Sequence, residues 1–398
     1  DSEGQWPIPP EEVTLPELLK ALGYTTGAFG KWGLGPPRTT GDPLRQGIDR
    51  FFGYNCQGVA HNFYPTYLWD NSQRRPLNNP AFPSNQKLPE GADPNLPESY
   101  ARYTANEYAP DLINEQARQF VRDNKDRPFF LYYPTTVPHL ALQVPDDSLR
   151  EYLGKFPEEP YLGNRGYLPQ RAPHAAYAAM VTRLDREIGR LIDLVEELGL
   201  AERTLFVFTS DNGPAADRHG GTDSDFFESA GKFRGKKGSL YEGGIRVPCI
   251  VRWKRRIAAG SESSRVTGFE DWLPTLLELI GAKEQVPSNL DGISFAPTLL
   301  GKQQEPRPFL YREITESGGQ QCVRVEDWKA VRQRLNPGPR DKLSPGAVEL
   351  YDLKNDPSET TDVASSHSDV VAQLSKLLTE QHVKSDVFPM RALDDRRE

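Results

Sequence analysis

The chain is poor in cysteine, has no long apolar run and carries no excess of positive charge. Its 398 residues include three cysteines, Cys56, Cys249 and Cys322. That is too few for a disulfide framework, and none lies in a C-x-x-C or other zinc-ligand spacing. No stretch approaches the roughly 18 consecutive apolar residues of a transmembrane segment. A formal net charge of −8 argues against nucleic acid as a partner, because such proteins use basic surfaces. Internal repeats and low-complexity tracts are also missing. Glycine (33) and proline (35) are plentiful, which predicts many turns and excludes a plain helical bundle.

The elements that are present alternate. Thr14 and Glu17 form a capping box ahead of Leu15, Leu18, Leu19 and Leu22, and Gly23 ends that helix. Residues 24–32 read as a buried strand running into a glycine-rich loop. Residues 51–105 hold aromatics, asparagine and proline without a steady period and read as long loops. A helix is predicted over 107–124, and PFFLYYP (128–134) reads as a strand buried on both faces. Tyr177, Val181, Leu184, Ile188, Leu191, Ile192, Val195 and Leu198 predict a helix over 175–198, ended by Gly199. TLFVFTS (204–210) and VPCIVRW (247–253) read as buried strands, and 271–282 as a helix. This alternation predicts an α/β fold over residues 1–300, a mainly parallel sheet flanked by helices. Residues 301–398 change character: short strands separated by turns, then a helix over 368–383, predict a small C-terminal antiparallel sheet plus helix.

In open parallel sheets, ligands bind beyond the carboxyl ends of the strands. Four strand-end segments carry suitable chemistry. Ser210-Asp211-Asn212-Gly213 offers a carboxylate and an amide oxygen, the hard donors that Ca²⁺ or Mg²⁺ prefers, although Asp-Asn-Gly is also ordinary turn chemistry. Thr135-Thr136-Val137-Pro138-His139 places a histidine at a strand mouth, suited to an anion or a leaving oxygen; the plain alternative is a surface histidine bonded to backbone. Gly30-Lys31-Trp32-Gly33-Leu34-Gly35 lets backbone and ammonium approach an anion, but lacks Walker spacing. Residues 235–248, GKKGSLYEGGIRVP, are either a glycine-rich hairpin with solvated lysines or a second cation for the same anion.

These segments occur in the order ELLKALGYTTGAFGKWGLG, VPH, SDNG, GKKGSLYEGGIRVP, DGISFAPTLLG, WKAVR, ELYDLKNDPSETTDVA. The ordered set resembles the sulfatase family, of alkaline-phosphatase-like fold, across nearly the whole chain, with the flavour of the bacterial arylsulfatases and N-acetylgalactosamine-6-sulfatase-like enzymes. The resemblance implies a metal-assisted hydrolase of aryl or carbohydrate sulfate monoesters. Asp211 and Asn212 would then be two ligands of Ca²⁺, with Mg²⁺ the other candidate ion. Lys31 would contact the sulfate and the nucleophile's hydroxyl, and His139 would bind the ester or assist the leaving oxygen. Lys237, four residues before Tyr241, would bind sulfate and protonate the leaving alcohol; spacing alone selects it over Lys236. The expected substrate partner is a small-molecule or glycan sulfate ester, and the resemblance implies a periplasmic or extracellular location.

Two departures stand out. Many relatives carry a histidine where Gly33 stands. The family's nucleophile is a formylglycine made from Cys or Ser in a C/S-x-P-S-R-type motif, and Cys56, Cys249 and Cys322 begin CQGVA, CIVRW and CVRVE instead. The expectation is that the nucleophile and an Asp-Asp metal pair belong to an N-terminal portion upstream of these residues, and that the 398-residue chain turns over little or no substrate. Sulfate release abolished by Lys31→Ala would refute that. Two alternatives remain: a phosphomonoester or phosphonate hydrolase of the same superfamily, and a non-catalytic binder of sulfated glycans. Other residues carry plainer expectations. His61, Phe63, Tyr64, Tyr67 and Trp69 either stack on a sugar or pack a loop core. His174 is expected to be structural, Arg246 to form a salt bridge near the site or brace its loop, and Asp352 and Asp356 to be turn residues.

Overall fold

The strand β1, Thr25–Lys31, organises the first half of the chain. Five consecutive residues from Thr26 to Gly30 are buried, and parallel neighbours flank it on both sides. The computed structural model describes residues 6–216, 218–336, 338 and 345–394. They divide into two compact units: one runs to Thr204 and includes the segment ending at Asp223; the other comprises Leu205–Ala216 and the chain from Ser224 onward.

In the first unit, α1 (Leu15–Ala21) leads into β1. The Glu17 carboxylate accepts the Thr14 amide at 2.8 Å, one arm of the expected capping box. The sheet order is β4-β3-β2-β1-β5, with β2 at Arg50–Tyr54, β3 at Tyr67–Asp70, β4 at Gln73–Pro76 and β5 at Phe129–Tyr132. β2 and β5 run parallel to β1, while β3 and β4 add antiparallel strands, so the sheet is mixed. The helices α2 (Ala109–Asp123), α3 (Asp146–Leu149) and α4 (Pro173–Glu197) complete the unit. Phe29, Phe52, Ile113, Ala117 and Phe120 share one core cluster, which seats α2 on the sheet.

Three details differ from the sequence expectation. Residues 51–105 are not all loop, because β2, β3 and β4 lie there; β2 is too uniformly apolar to show a period of two. β5 is an edge strand of its sheet with Tyr132 exposed, not a strand buried on both faces. The buried face of α4 holds Ala175, Ala176, Ala179, Met180, Arg183, Glu187, Leu194 and Val195, so the expected Val195 is buried whereas the expected Val181 is exposed.

In the second unit, β6 (Leu205–Thr209) and β7 (Cys249–Trp253) pair antiparallel with each other. They were expected as buried members of the parallel sheet; Val207, Phe208 and Ile250 are exposed. Between them lies α5 (Glu242–Ile245), and after them α6 (Trp272–Leu279) and α7 (Ala296–Leu299). A four-stranded antiparallel sheet follows, in the order β11-β10-β9-β8. Its strands are β8 (Leu310–Ile314), β9 (Gln320–Val325), β10 (Trp328–Gln333) and β11 (Val348–Asp352). The helix α8 (Ser368–Glu380) covers it through Leu374 and Leu378, and α9 (Arg391–Asp394) follows. No helix among the described residues is long and apolar enough to cross a membrane.

Candidate functional site

Lys31 is the last residue of β1. Its amide donates to the carbonyl oxygen of Pro134 at 2.8 Å. Gly30 makes that approach possible: its φ is +143°, and a Cβ there would collide with the same carbonyl. The parallel strands β1 and β5 therefore end side by side, and the loop leaving β5 carries His139. This is the strand-end geometry at which α/β sheets take ligands. Trp32 extends the arrangement by bonding its amide to Tyr54 and its indole to the Gly41 carbonyl at 2.7 Å. Gly33 has φ +85°, a left-handed conformation that glycine adopts at no steric cost and histidine does not.

His139 is half-buried, and its Nδ1 lies 2.7 Å from the Leu140 carbonyl oxygen. A carbonyl only accepts, so Nδ1 carries a proton. The ring of His61 stacks on that of His139, with centroids 5.3 Å apart and planes 5° apart. Tyr167 packs edge-on against both rings and against His219.

Sequence reasoning missed Tyr167 and His219. The His219-Gly220-Gly221 run was a usable signal, since both glycines have positive φ. The grouping of His61 with four nearby aromatics dissolves. Phe63 and Tyr64 are core residues packed on Tyr108. Tyr67 and Trp69 meet edge to face, with the Arg74 guanidinium over both rings.

In the second unit, Asp211 and Asn212 form the turn directly after β6. The Asn212 side-chain amide donates to the Gly213 carbonyl at 2.9 Å. Gly213 then donates to the Gly244 carbonyl, and the Lys237 amide donates to Pro214, each at 2.9 Å. A Cβ on Gly213 would strike the Gly243 carbonyl. Glycine spacing thus lets two backbone loops touch, and Lys237 is brought beside the Asp211–Gly213 turn. Lys236 pairs with Asp225 at 2.5 Å, whereas the Lys237 ammonium has no ion-pair partner among the described residues.

A buried charged cluster holds this loop from behind. Lys329 is 1% exposed and lies 2.8 Å from Glu242 and 2.9 Å from Glu359. Glu359 also accepts the Glu242 amide at 2.6 Å. Burial drives the Glu242 carboxyl up, but the Lys329 ammonium outweighs burial and holds it below the usual range. For Glu359 burial wins, and its carboxyl is raised. Arg246 braces the same loop, with its guanidinium 3.5 Å from Glu242 and 4.6 Å from the Phe233 ring centre.

His174, Asp352 and Asp356 are each engaged in hydrogen bonds. His174 bonds the Pro157 carbonyl at 2.6 Å and the Asp223 carboxylate at 3.0 Å. Asp352 accepts the amides of Lys354 and Asn355, and Asp356 those of Thr360 and Thr361.

The metal question turns on donors. An aspartate oxygen and an amide oxygen suit Ca²⁺ in kind. The Asp211 carboxylate has no hydrogen-bond partner among the described residues. Yet Ca²⁺ takes about 6–8 oxygens, and among the described residues no group of three or more His, Cys, Asp or Glu is arranged to hold an ion. The fit is right in kind and incomplete in number.

Comparison with known proteins gives concordant matches. The family model described as Sulfatase matches residues 1–282, and that described as N-sulphoglucosamine sulphohydrolase, C-terminal, matches residues 232–384. The chain is 33% identical to human arylsulfatase A over 399 residues, covering 93% of this chain and 71% of that protein. It is 29% identical to human N-acetylgalactosamine-6-sulfatase over 405 residues, covering 94% and 69%. The crystal structure of Ps i-CgsB superposes with a TM-score of 0.73 at 24% identity, covering 95% of this chain and 76% of the other.

Proposed function

Because the chain belongs to the sulfatase family of sulfuric ester hydrolases, with its alkaline-phosphatase-like fold, we propose that it acts on sulfate monoesters of aryl or carbohydrate alcohols and that Lys31, His139 and Lys237 carry the ester. The observation that supports this most is the Lys31–Pro134 bond, which sets a cation and the loop bearing His139 at the ends of two adjacent parallel strands. A sulfate monoester spreads negative charge over its non-bridging oxygens. Fixed ammonium groups stabilise that charge as the S–O bond lengthens, each well-placed donor contributing about 2–4 kcal/mol in the transition state.

Lys31 holds sulfate oxygens in this reading. His139 addresses the ester through Nε2, because Nδ1 is bonded to Leu140. Lys237 supplies charge and a proton to the departing oxygen, so the alcohol leaves neutral. Asp211 and Asn212 are assigned as two ligands of a divalent cation, Ca²⁺ first, which polarises the ester when bound. The family's formylglycine nucleophile has no counterpart among the three cysteines, none of which stands in its motif, so the roles assigned to residues of this chain are binding the ester and protonating the leaving oxygen.

The test is a competition. A sulfate monoester and a phosphate monoester of one alcohol are titrated against the protein. Preference for the sulfate ester is expected; preference for the phosphate ester would move the assignment to phosphoryl transfer.

A further inference from the structure

We propose that His61 and Tyr167 are positioning residues that hold the His139 ring in the orientation in which Nδ1 meets the Leu140 carbonyl, and so in one tautomer. The inference rests on the reading of His139 as a ligand-binding residue, and it adds the groups that set its geometry. Three of the chain's six histidines meet around Tyr167, a concentration that a packing role for His139 alone does not require.

Two constraints act on the His139 ring. The 2.7 Å bond from Nδ1 to the Leu140 carbonyl fixes which nitrogen carries the proton. The His61 ring lies nearly parallel to it, with a 5° angle between planes, and prevents it from turning edge-on. Tyr167 closes the arrangement from the side, at 64° to His61 and 68° to His139.

Tyr167 is itself held against its backbone preference. Its φ is +62°, uncommon for a bulky aromatic residue and maintained only where the surroundings enforce it. The Asn85 side-chain oxygen accepts its amide at 2.6 Å. Gly220 packs close: a Cβ there would meet both Leu140 and the Tyr167 ring. Tyr167 thus joins an uncommon backbone conformation to ring contact with a histidine at a strand mouth.

The test reads the tautomer directly. The full chain is labelled with ¹⁵N-histidine, and His139 is identified by the resonances lost in His139→Gln. In the wild-type protein the Nδ1–H form of His139 is expected to dominate at neutral pH. His61→Phe keeps a flat ring and is expected to retain that form. His61→Leu fills similar space without a flat ring; it is expected to mix the two tautomers and broaden the signals while the unfolding midpoint stays near wild type. A dominant Nε2–H form in the wild type would overturn the proposal whatever the variants do. So would a His139 tautomer unchanged in both His61→Leu and Tyr167→Leu. Because the readout is not turnover, failure here leaves the assigned roles of Lys31 and Lys237 standing, and failure of the sulfate-ester reading leaves the tautomer result standing.

Discussion

The Lys31 amide and the Pro134 carbonyl oxygen meet at 2.8 Å, and this bond ties the end of β1 to the segment that delivers His139. It exists because Gly30 has no side chain. Gly30→Ala places a methyl group against that carbonyl at a φ of +143°. The expected result is a destabilisation of about 1–3 kcal/mol, the usual cost of overpacking and backbone strain. Urea unfolding measures it, and a loss of sulfate-ester affinity should accompany it.

Lys329 neutralises two buried carboxylates, Glu242 and Glu359. Lys329→Met removes the cation and leaves both acids without it. Breaking a buried pair from one side costs about 3–5 kcal/mol, so the thermal midpoint should fall sharply. The double variant Glu242→Gln/Lys329→Met should recover part of the loss.

His382 links β8 to α9: one ring nitrogen is 2.9 Å from Glu313 and the other 3.0 Å from Asp394. Burial pulls its pKa down, but the two carboxylates outweigh burial and raise it above the ordinary 6.5. A raised folded-state value means protonation favours the folded form. The contribution is therefore complete below about pH 6.5 and is lost as pH rises through the higher folded value. Urea titrations from pH 5 to 9 should show this slope in the wild type and a flatter one in His382→Gln.

If Asp211 and Asn212 ligate a hard cation, millimolar Ca²⁺ should raise the unfolding midpoint of the wild-type protein and protect it from chelators. Asp211→Ala should abolish the shift, and Mg²⁺ should give a smaller one. Differential scanning fluorimetry with and without chelator checks this.

Much of the fold was legible because it follows from local rules. The Thr14–Glu17 box, the uniform burial of β1 and the alternation of strands and helices all have short-range signatures. The face of α4 had one only in part: Val195 is buried as its spacing predicts, but Val181 is exposed. Arg183 and Glu187 are buried there because Asp111, Asp147 and Arg118 pair with them from distant positions. No count of apolar residues finds a buried face that is partly charged. The aromatic surroundings of His139 were hidden for the same reason: Tyr167 and His219 reach it through tertiary packing. By contrast, the choice of Lys237 over Lys236 rests on spacing; the structure pairs Lys236 with Asp225.

The ammonium groups of Lys31 and Lys237 are the proposed grip on a sulfate ester, and calorimetric titration of one aryl sulfate into four proteins tests it. Each charge-assisted contact is worth about 1.5–3 kcal/mol, so Lys31→Ala and Lys237→Ala should each weaken binding roughly 10- to 100-fold. Lys236→Ala, whose parent side chain is paired with Asp225, should stay close to wild type. Affinity that survives both Lys31→Ala and Lys237→Ala, or falls only in Lys236→Ala, would contradict the claim.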